Sequence, residues 1–508
     1  MNTLLLDGHS LSIDDVVAVA EGRCIAMLST SARARMQRTR TVVDDAVAAS
    51  VPVYGVNTGF GKLSEVTIPN VQLAALQKNL VRSHAAGVGD PLPEREVRAM
   101  MLLRANVLAT GYAGARAELV DALLAMLSAG IWPVVPEQGS VGASGDLAPL
   151  AHLALALIGE GTVTHQGHSG EAHALLAAAG LSPVVLEAKE GLALINGTQA
   201  HTAITALALA ELEQLWRAAH VATAMSLEAL LGTPDAFDER IQFARGQLGQ
   251  QQSARVLREL LANSEIRESH RIGDHRVQDA YALRCAPQVH GPALDAIQFA
   301  RGVVERELNA ATDNPLVLES GELLSGGNFH GQAVAMAADF LAIATANLAV
   351  ISERRTDRLV HPDFNQGLPP FLAGSPGLES GFMMSQVTSA ALASECKTLA
   401  YPASVDSIPT DGNKEDVVPM AMGAAIKLRR SVRNLRHVLA IELIAAAEGL
   451  EHRRPLRSTA AVERAHAIVR EHVPKSTGDR SPSPDIIRLA HALAAGAMHS
   501  VLDEEQWP

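Results

Sequence analysis

Ala143-Ser144-Gly145, within the run Gly139-Ser-Val-Gly-Ala-Ser-Gly-Asp-Leu-Ala-Pro-Leu150, is where this chain's backbone can itself become a reagent. Attack of the Gly145 nitrogen on the Ala143 carbonyl carbon, with loss of water, closes a five-membered imidazolone ring. Loss of a second water from Ser144 leaves an exocyclic methylidene, an electrophile that no ordinary side chain supplies. Gly145 has no Cβ to block the attack, Ser144 carries the hydroxyl that leaves, and Gly139 and Gly142 permit a tight bend. Taken alone, a Gly/Ser/Ala run is also an ordinary turn. Two other chemistries fail on residue type. A hydrolase nucleophile elbow needs Gly-x-Ser-x-Gly, and Asp146 stands where the second Gly belongs. A phosphate loop needs Lys followed by Ser or Thr, and neither Lys nor Arg occurs from Trp132 to Gly170.

Six further strings stand beside this run: Tyr54-Gly-Val-Asn-Thr-Gly-Phe-Gly61, Leu80-Val-Arg-Ser-His-Ala-Ala-Gly87, Ile195-Asn-Gly-Thr-Gln199, Gln278-Asp-Ala-Tyr-Ala-Leu-Arg284, Gly326-Gly-Asn-Phe-His-Gly331 and Ser404-Val-Asp-Ser-Ile-Pro409. With Gly139 to Leu150 they make the chain resemble the aromatic amino acid ammonia-lyase family, and its histidine-acting members in particular, over almost its whole length. The resemblance implies a 4-methylideneimidazole-5-one group formed autocatalytically from Ala143, Ser144 and Gly145, with no exogenous cofactor and no metal. It implies elimination of ammonia from L-histidine to give trans-urocanate, the first step of histidine degradation. A tyrosine or phenylalanine lyase, or a 2,3-aminomutase using the same group, is the alternative.

Elimination also needs a base for the β-proton, an anchor for the carboxylate and a group that recognises the side chain. Tyr54 and Tyr281 are two of only four tyrosines. An unperturbed phenol has a pKa near ~10, so a basic role needs neighbours that lower it, and a packed tyrosine with a satisfied hydroxyl is the plainer reading of either. The resemblance implies that Tyr54 lies on a loop over the site as base or proton relay, and that Tyr281 assists near the ring. Arg284, three residues after Tyr281, would share its face of a helical turn. Its guanidinium matches a carboxylate with two parallel hydrogen bonds, although a surface ion pair is the commoner fate of a lone Arg. The family assigns it the substrate carboxylate. Asn196 and Gln278 offer amide donors and acceptors and resemble residues that contact substrate or ring. Phe329 resembles an aromatic packed near the prosthetic group, and Met383, in Ser380-Gly-Phe-Met-Met384, a residue lining the pocket.

Substrate choice rests on Ser83-His84 and Glu415. Tyrosine-specific relatives carry His-Leu at the first pair, phenylalanine-specific ones Phe-Leu and histidine enzymes Ser-His. An imidazole at His84 can hydrogen-bond a substrate imidazole. A carboxylate at Glu415 can accept from a ring N–H but is poorly matched to a phenyl ring. The surrounding string, Asp411-Gly-Asn-Lys-Glu-Asp-Val-Val-Pro-Met420, departs from the Ser-Ala-Asn-Gln-Glu-Asp-His-Val-Ser-Met common in histidine enzymes. Lys414 either lowers the pKa of Glu415 or points to solvent.

These groups need a scaffold, and composition limits what it can be. The 508 residues are 48% hydrophobic but only 3% aromatic, so the core must be built from Ala, Leu and Val, which favours close helix packing. A net charge of −13, with no cluster of Lys and Arg among aromatics, argues against nucleic acid as a partner. Cys24, Cys285 and Cys396 form neither a disulfide framework nor a zinc pattern. A cytoplasmic protein is expected, since Met1-Asn-Thr-Leu-Leu-Leu-Asp-Gly-His has no basic region.

Val334, Ala338, Leu341, Thr345 and Leu348 recur at steps of four and three, as one stripe of a helix does. Ala333 to Ile351, the longest apolar stretch, is broken by Asp339 and Asn347 and reads as a bundle helix rather than a membrane span. Similar periodic stretches run over 204–231, 292–311 and 420–450, which predicts a long-helix bundle. The expected organisation is mainly α: an irregular helical region over 1–200 carrying the active-site loops, a central bundle over 201–454 and a C-terminal helical segment over 455–508. The catalytic strings fall mostly in Gly- and Pro-rich breaks, where loops on a rigid scaffold carry function. The resemblance adds a homotetramer with shared active sites, acting on a small-molecule amino acid.

Overall fold

Alanine, leucine and valine, the only plentiful apolar residues, do build the core, and they build it as helices. The computed structural model describes residues 2–50, 52–274 and 276–508. The chain is mainly α, with long helices Gln199–Ala229, Ala286–Leu308, Gln332–Val360 and Ala421–Glu451, and strands confined to short pairs and one three-stranded sheet. The chain forms two compact units. One takes residues 1–210, 300–339 and 402–426, the other residues 211–299, 340–401 and 427–508, so the division falls inside each of the four long helices.

In the first unit, the helix Leu73–His84 buries Leu73, Gln77, Leu80 and Val81, the i, i+4, i+7, i+8 stripe of an amphipathic helix. Its C-terminal turn therefore delivers Ser83 and His84 at a fixed height. The helix Glu94–Ala109 is buried from Val97 onward except for one position, which places Arg104 and Asn106 inside the protein. The apolar helix Leu147–Leu157 begins directly after Asp146. The short helix Glu190–Ile195 ends at Asn196, and Gly197-Thr198 then leads into Gln199–Ala229. Val56 packs with Val43, Leu73, Ala188 and Val317 in a small core, which anchors the loop that carries Tyr54.

In the second unit, buried alanines on Gln199–Ala229 and Ala421–Glu451, among them Ala218, Ala222, Ala440 and Ala446, leave room for close packing. The buried carboxylate of Glu442 takes both nitrogens of the Arg355 fork at 2.6 and 2.9 Å and the hydroxyls of Ser226 and Ser352 at 2.7 and 2.6 Å. One fully satisfied ion pair thus ties three helices together. The stripe Val334, Ala338, Leu341, Thr345 and Leu348 is buried along its whole length. Gln332–Val360 is the one helix among the described residues long and apolar enough to cross a membrane, and 72% of that apolar window is buried.

Candidate active site

Gly142 and Gly145 bracket the reactive pair with left-handed backbone, φ +74° and +70°, and a bridge between them closes a tight turn. Ala143 and Gly145 are buried, while Ser144 is partly open. Gly145 sits against Gly197 so closely that a Cβ on it would lie 2.1 Å from the Gly197 carbonyl oxygen. The absence of a side chain at 145 is therefore a packing requirement as well as a chemical one.

Asp146 locks the turn from behind. Its N–H donates to the Gly197 carbonyl at 2.7 Å, and its carboxylate accepts from the Ala200 and His201 N–H groups at 2.9 Å and from the Ser140 hydroxyl at 2.8 Å. Burial alone would raise the pKa of this carboxyl, but the His201 imidazole and these donors hold it below the usual carboxylate range. Gly331 N–H donates to the Gly142 carbonyl at 3.0 Å, so the Gly326 to Gly331 string reaches the turn through its last residue.

Arg104, fully buried, holds the opposite strand of this contact. Its guanidinium donates to the Asn196 carbonyl at 3.0 Å, to Gln199 Oε1 at 2.7 Å and to the Ala193 carbonyl. Burial pulls its pKa down to about 10, opposed by the charge of Asp313, so it stays cationic at neutral pH. The Asn196 backbone is thereby fixed, and its side-chain Nδ2 donates to the Ser144 carbonyl at 2.8 Å. Asn196 Oδ1 is buried without a protein partner.

A cavity of about 600 Å³ opens in front of Ser144. Its polar lining includes Tyr54, His84, Asn196, Asp411 and Glu415, and Phe60, Leu80, Leu147 and Leu192 supply apolar wall. No Lys or Arg is among the described lining residues, so the cavity is acidic. His84 Nδ1 lies 2.9 Å from the Leu80 carbonyl. A carbonyl only accepts, so this nitrogen carries a proton, and in the neutral imidazole Nε2 is the acceptor. Glu415 is half-buried, with Oε2 accepting from the Thr410 hydroxyl. Lys414 is exposed. The Tyr54 pKa is pushed up, chiefly by burial and further by the charges of Asp411, Glu415 and Asp313, against a Gly61 N–H that favours the phenolate. The phenol is therefore protonated at neutral pH.

The remaining sequence candidates do not line this cavity. Tyr281, Arg284, Gln278 and Met383 belong to the second unit. Arg284 and Tyr281 do share a face, with the guanidinium 4.8 Å from the ring centroid, and Tyr281 is 70% exposed. Phe329 belongs to the first unit, half-buried and outside the lining. Three residues that shape the site were not singled out from sequence. Asp146 had a signal, an acidic residue at the start of an apolar helix, and Arg104 had another, a charge inside Met100 to Leu108. Asp411 had only its departure from the common pattern.

This arrangement, a glycine-bracketed Ala-Ser-Gly turn facing a cavity on a helical scaffold, is that of an enzyme. A family model for aromatic amino acid lyases matches residues 11–471. Histidine ammonia-lyase of Anaeromyxobacter sp. (strain K) is 55% identical over 507 residues, 98% of this chain and 100% of that protein. That of Koribacter versatilis is 51% identical, over 98% and 99%. Among solved structures, histidine ammonia-lyase from Trypanosoma cruzi superposes with a TM-score of 0.92 at 42% identity, covering 99% of this chain and 96% of its own. Tyrosine aminomutase from Streptomyces globisporus gives 0.92 at 37%, covering 98% of each. The chain belongs to the aromatic amino acid lyase family.

Proposed function

We infer that this chain is an ammonia-lyase that converts L-histidine to trans-urocanate and ammonia. The observation that carries the substrate is the pairing, on one cavity with Ser144, of an imidazole with a free acceptor nitrogen and a half-buried carboxylate. Two acceptors suit a histidine side chain in its protonated form, whose two ring N–H groups both donate, whereas a phenyl ring would leave both unpaired at a cost of roughly 1–3 kcal/mol each.

The turn fits the 4-methylideneimidazole-5-one group of the family. Gly145 is seated where a Cβ cannot be, and the Asn196 amide already donates to the oxygen that would remain as the ring carbonyl. Ala143, Ser144 and Gly145 would form the group and Asn196 would hold it. Once formed, the ring supplies an electrophilic carbon that turns the substrate's amino group into a better leaving group.

The chain's own residues do the rest. His84 Nε2 and Glu415 Oε1 accept from the substrate ring and fix its orientation. Tyr54 takes the β-proton, with positive charge on the bound substrate offsetting the Asp411 and Glu415 charges that add to burial in keeping the phenol protonated. The carboxylate anchor must be a cation, and none is among the described residues that line this cavity, so Arg284 comes from another copy in a homotetramer, together with Tyr281, Gln278, Phe329 and Met383. A second stripe of Gln332–Val360, made of Met336, Phe340, Ile343 and Val350, is exposed on the chain and supports that assembly. Three free cysteines fit a cytoplasmic enzyme.

The test is an assay of the purified protein with histidine, tyrosine and phenylalanine, with intact mass measured on the same sample. Histidine should give urocanate and ammonia, and the mass should fall short of the sequence by two waters. Ser144→Ala should abolish both. Turnover of tyrosine but not histidine, or a β-amino acid product without free ammonia, would overturn the reading.

A further inference from the structure

Tyr54 lies on a loop folded back on itself, with Gly59 N–H donating to the Val66 carbonyl and Ile68 N–H to the Asn57 carbonyl, both at 2.8 Å. A second segment meets this loop. Thr410 and Glu415 pair as a bridge, with Thr410 N–H donating to the Glu415 carbonyl at 2.9 Å. The hairpin between them turns through left-handed backbone at Asp411, Gly412 and Asn413, φ +45°, +59° and +67°. The two that are not glycine are Asp and Asn, the side chains that tolerate this conformation best. It brings the Asp411 carboxylate onto the Gly61–Lys62 end of the Tyr54 loop. Asp411 Oδ1 accepts from the Lys62 N–H at 3.4 Å, and Oδ2 occupies the space of a side chain at Gly61, where a Cβ would lie 2.1 Å away.

We propose that Asp411 is a positioning residue for Tyr54, a latch whose carboxylate holds the Gly61–Lys62 turn closed so that the phenol stays against the cavity in front of Ser144. The proposal rests on the histidine-lyase reading for its kinetic part only. Two other observations favour it. Gly61 N–H also serves the Tyr54 oxygen, so a carboxylate that fixes Gly61 fixes the phenol's donor as well. Asp411 is also one of the charges facing the phenol. The others are Glu415 on the same hairpin and Asp313, which is ion-paired to Lys189 at 2.8 Å. His84 borders the same cavity, and the exposed Lys62 and Lys414 flank it. Removing the charge while keeping an acceptor oxygen therefore separates the latch from the field.

The experiment compares full-length Asp411→Ala, Asp411→Asn and Gly61→Ala with the unmodified protein, with intact mass confirming two lost waters in each. Trypsin cleavage after Lys62 is followed by mass spectrometry, and kcat and KM for histidine are measured across pH. Asp411→Ala should be cut after Lys62 at least about fivefold faster, because local opening sets that rate. It should lose about tenfold or more in kcat with a smaller change in KM. Gly61→Ala, which evicts the carboxylate, should behave in the same way. Asp411→Asn should be cut at close to the unmodified rate and keep more of kcat. Its acidic limb of kcat/KM should move to lower pH, because one charge opposing the phenolate is gone. Unchanged cleavage in Asp411→Ala, or equal losses in the Asn and Ala variants with an unshifted profile, would overturn the latch. If the unmodified protein forms no urocanate, the substrate reading fails while the cleavage rates still decide the latch.

Discussion

At the scale of single residues, burial decides which polar groups this protein can keep charged. Arg104 survives inside the first unit because two carbonyls and an amide oxygen meet its donors. In the second unit, His220 survives by staying neutral. Its Nδ1 donates to the Trp216 carbonyl at 2.9 Å and its Nε2 accepts from Ser253 at 2.7 Å, and burial drives its pKa down to about 3. His290, its rings' centroids 4.6 Å away, is also buried and held well below the ordinary value, with neither ring nitrogen bonded. The sign follows from linkage. Below a pH of about 6.5 the unfolded chain protonates these imidazoles and the native chain does not. For His220, stability is therefore lost as pH falls from about 6.5 toward 3, at up to about 1.4 kcal/mol per pH unit, and His290 adds a loss of the same sign. His290→Leu, close in volume, should reduce that loss by one proton's share, measured as urea unfolding at several pH values. An unchanged slope would show that His290 takes no part. The reactive triplet could be read from sequence because its chemistry needs those three residue types in order. Arg104 could not, because an arginine in an apolar helix is a guanidinium looking for carbonyls, and those carbonyls are about ninety residues away along the chain.

At the scale of elements, the helix Gln332–Val360 presents two apolar stripes. One, from Val334 to Leu348, is buried within the chain. The other, Met336, Phe340, Ile343 and Val350, faces outward, with Phe299 against Phe340 at 5.6 Å between ring centroids. The periodicity in the sequence marks the helix but does not say which stripe the chain itself covers, because both are apolar at helical spacing. The strings around Tyr54 and Glu415 had the same limit. Each was visible as a motif, but nothing in either showed that the two loops touch at Gly61 and Asp411. Ile343→Glu places a charge in the exposed stripe without touching the buried one. It should leave helical content unchanged by circular dichroism and shift the particle to a smaller mass by light scattering. Unaltered mass would mean that this stripe is not an interface.

At the scale of the whole molecule, the helical class was legible because four long stretches carry an unbroken period, and the short strand pairs were not, since two to five residues hold too little pattern. The acidic lining of the Ser144 cavity has a genetic consequence. If, as proposed, the cation comes from another copy, a site that lacks it can be repaired by a neighbour that lacks something else. Ser144→Ala subunits have an intact Arg284, and Arg284→Ala subunits have an intact Ser144, so each should be inactive alone for a different reason. Unfolded together and reassembled, the two should regain a fraction of activity that neither shows by itself, carried by mixed particles in which one parent's turn faces the other parent's guanidinium. Such complementation would make the catalytic unit a property of the assembly, so that in a cell carrying two defective alleles, function would depend on which positions they had lost.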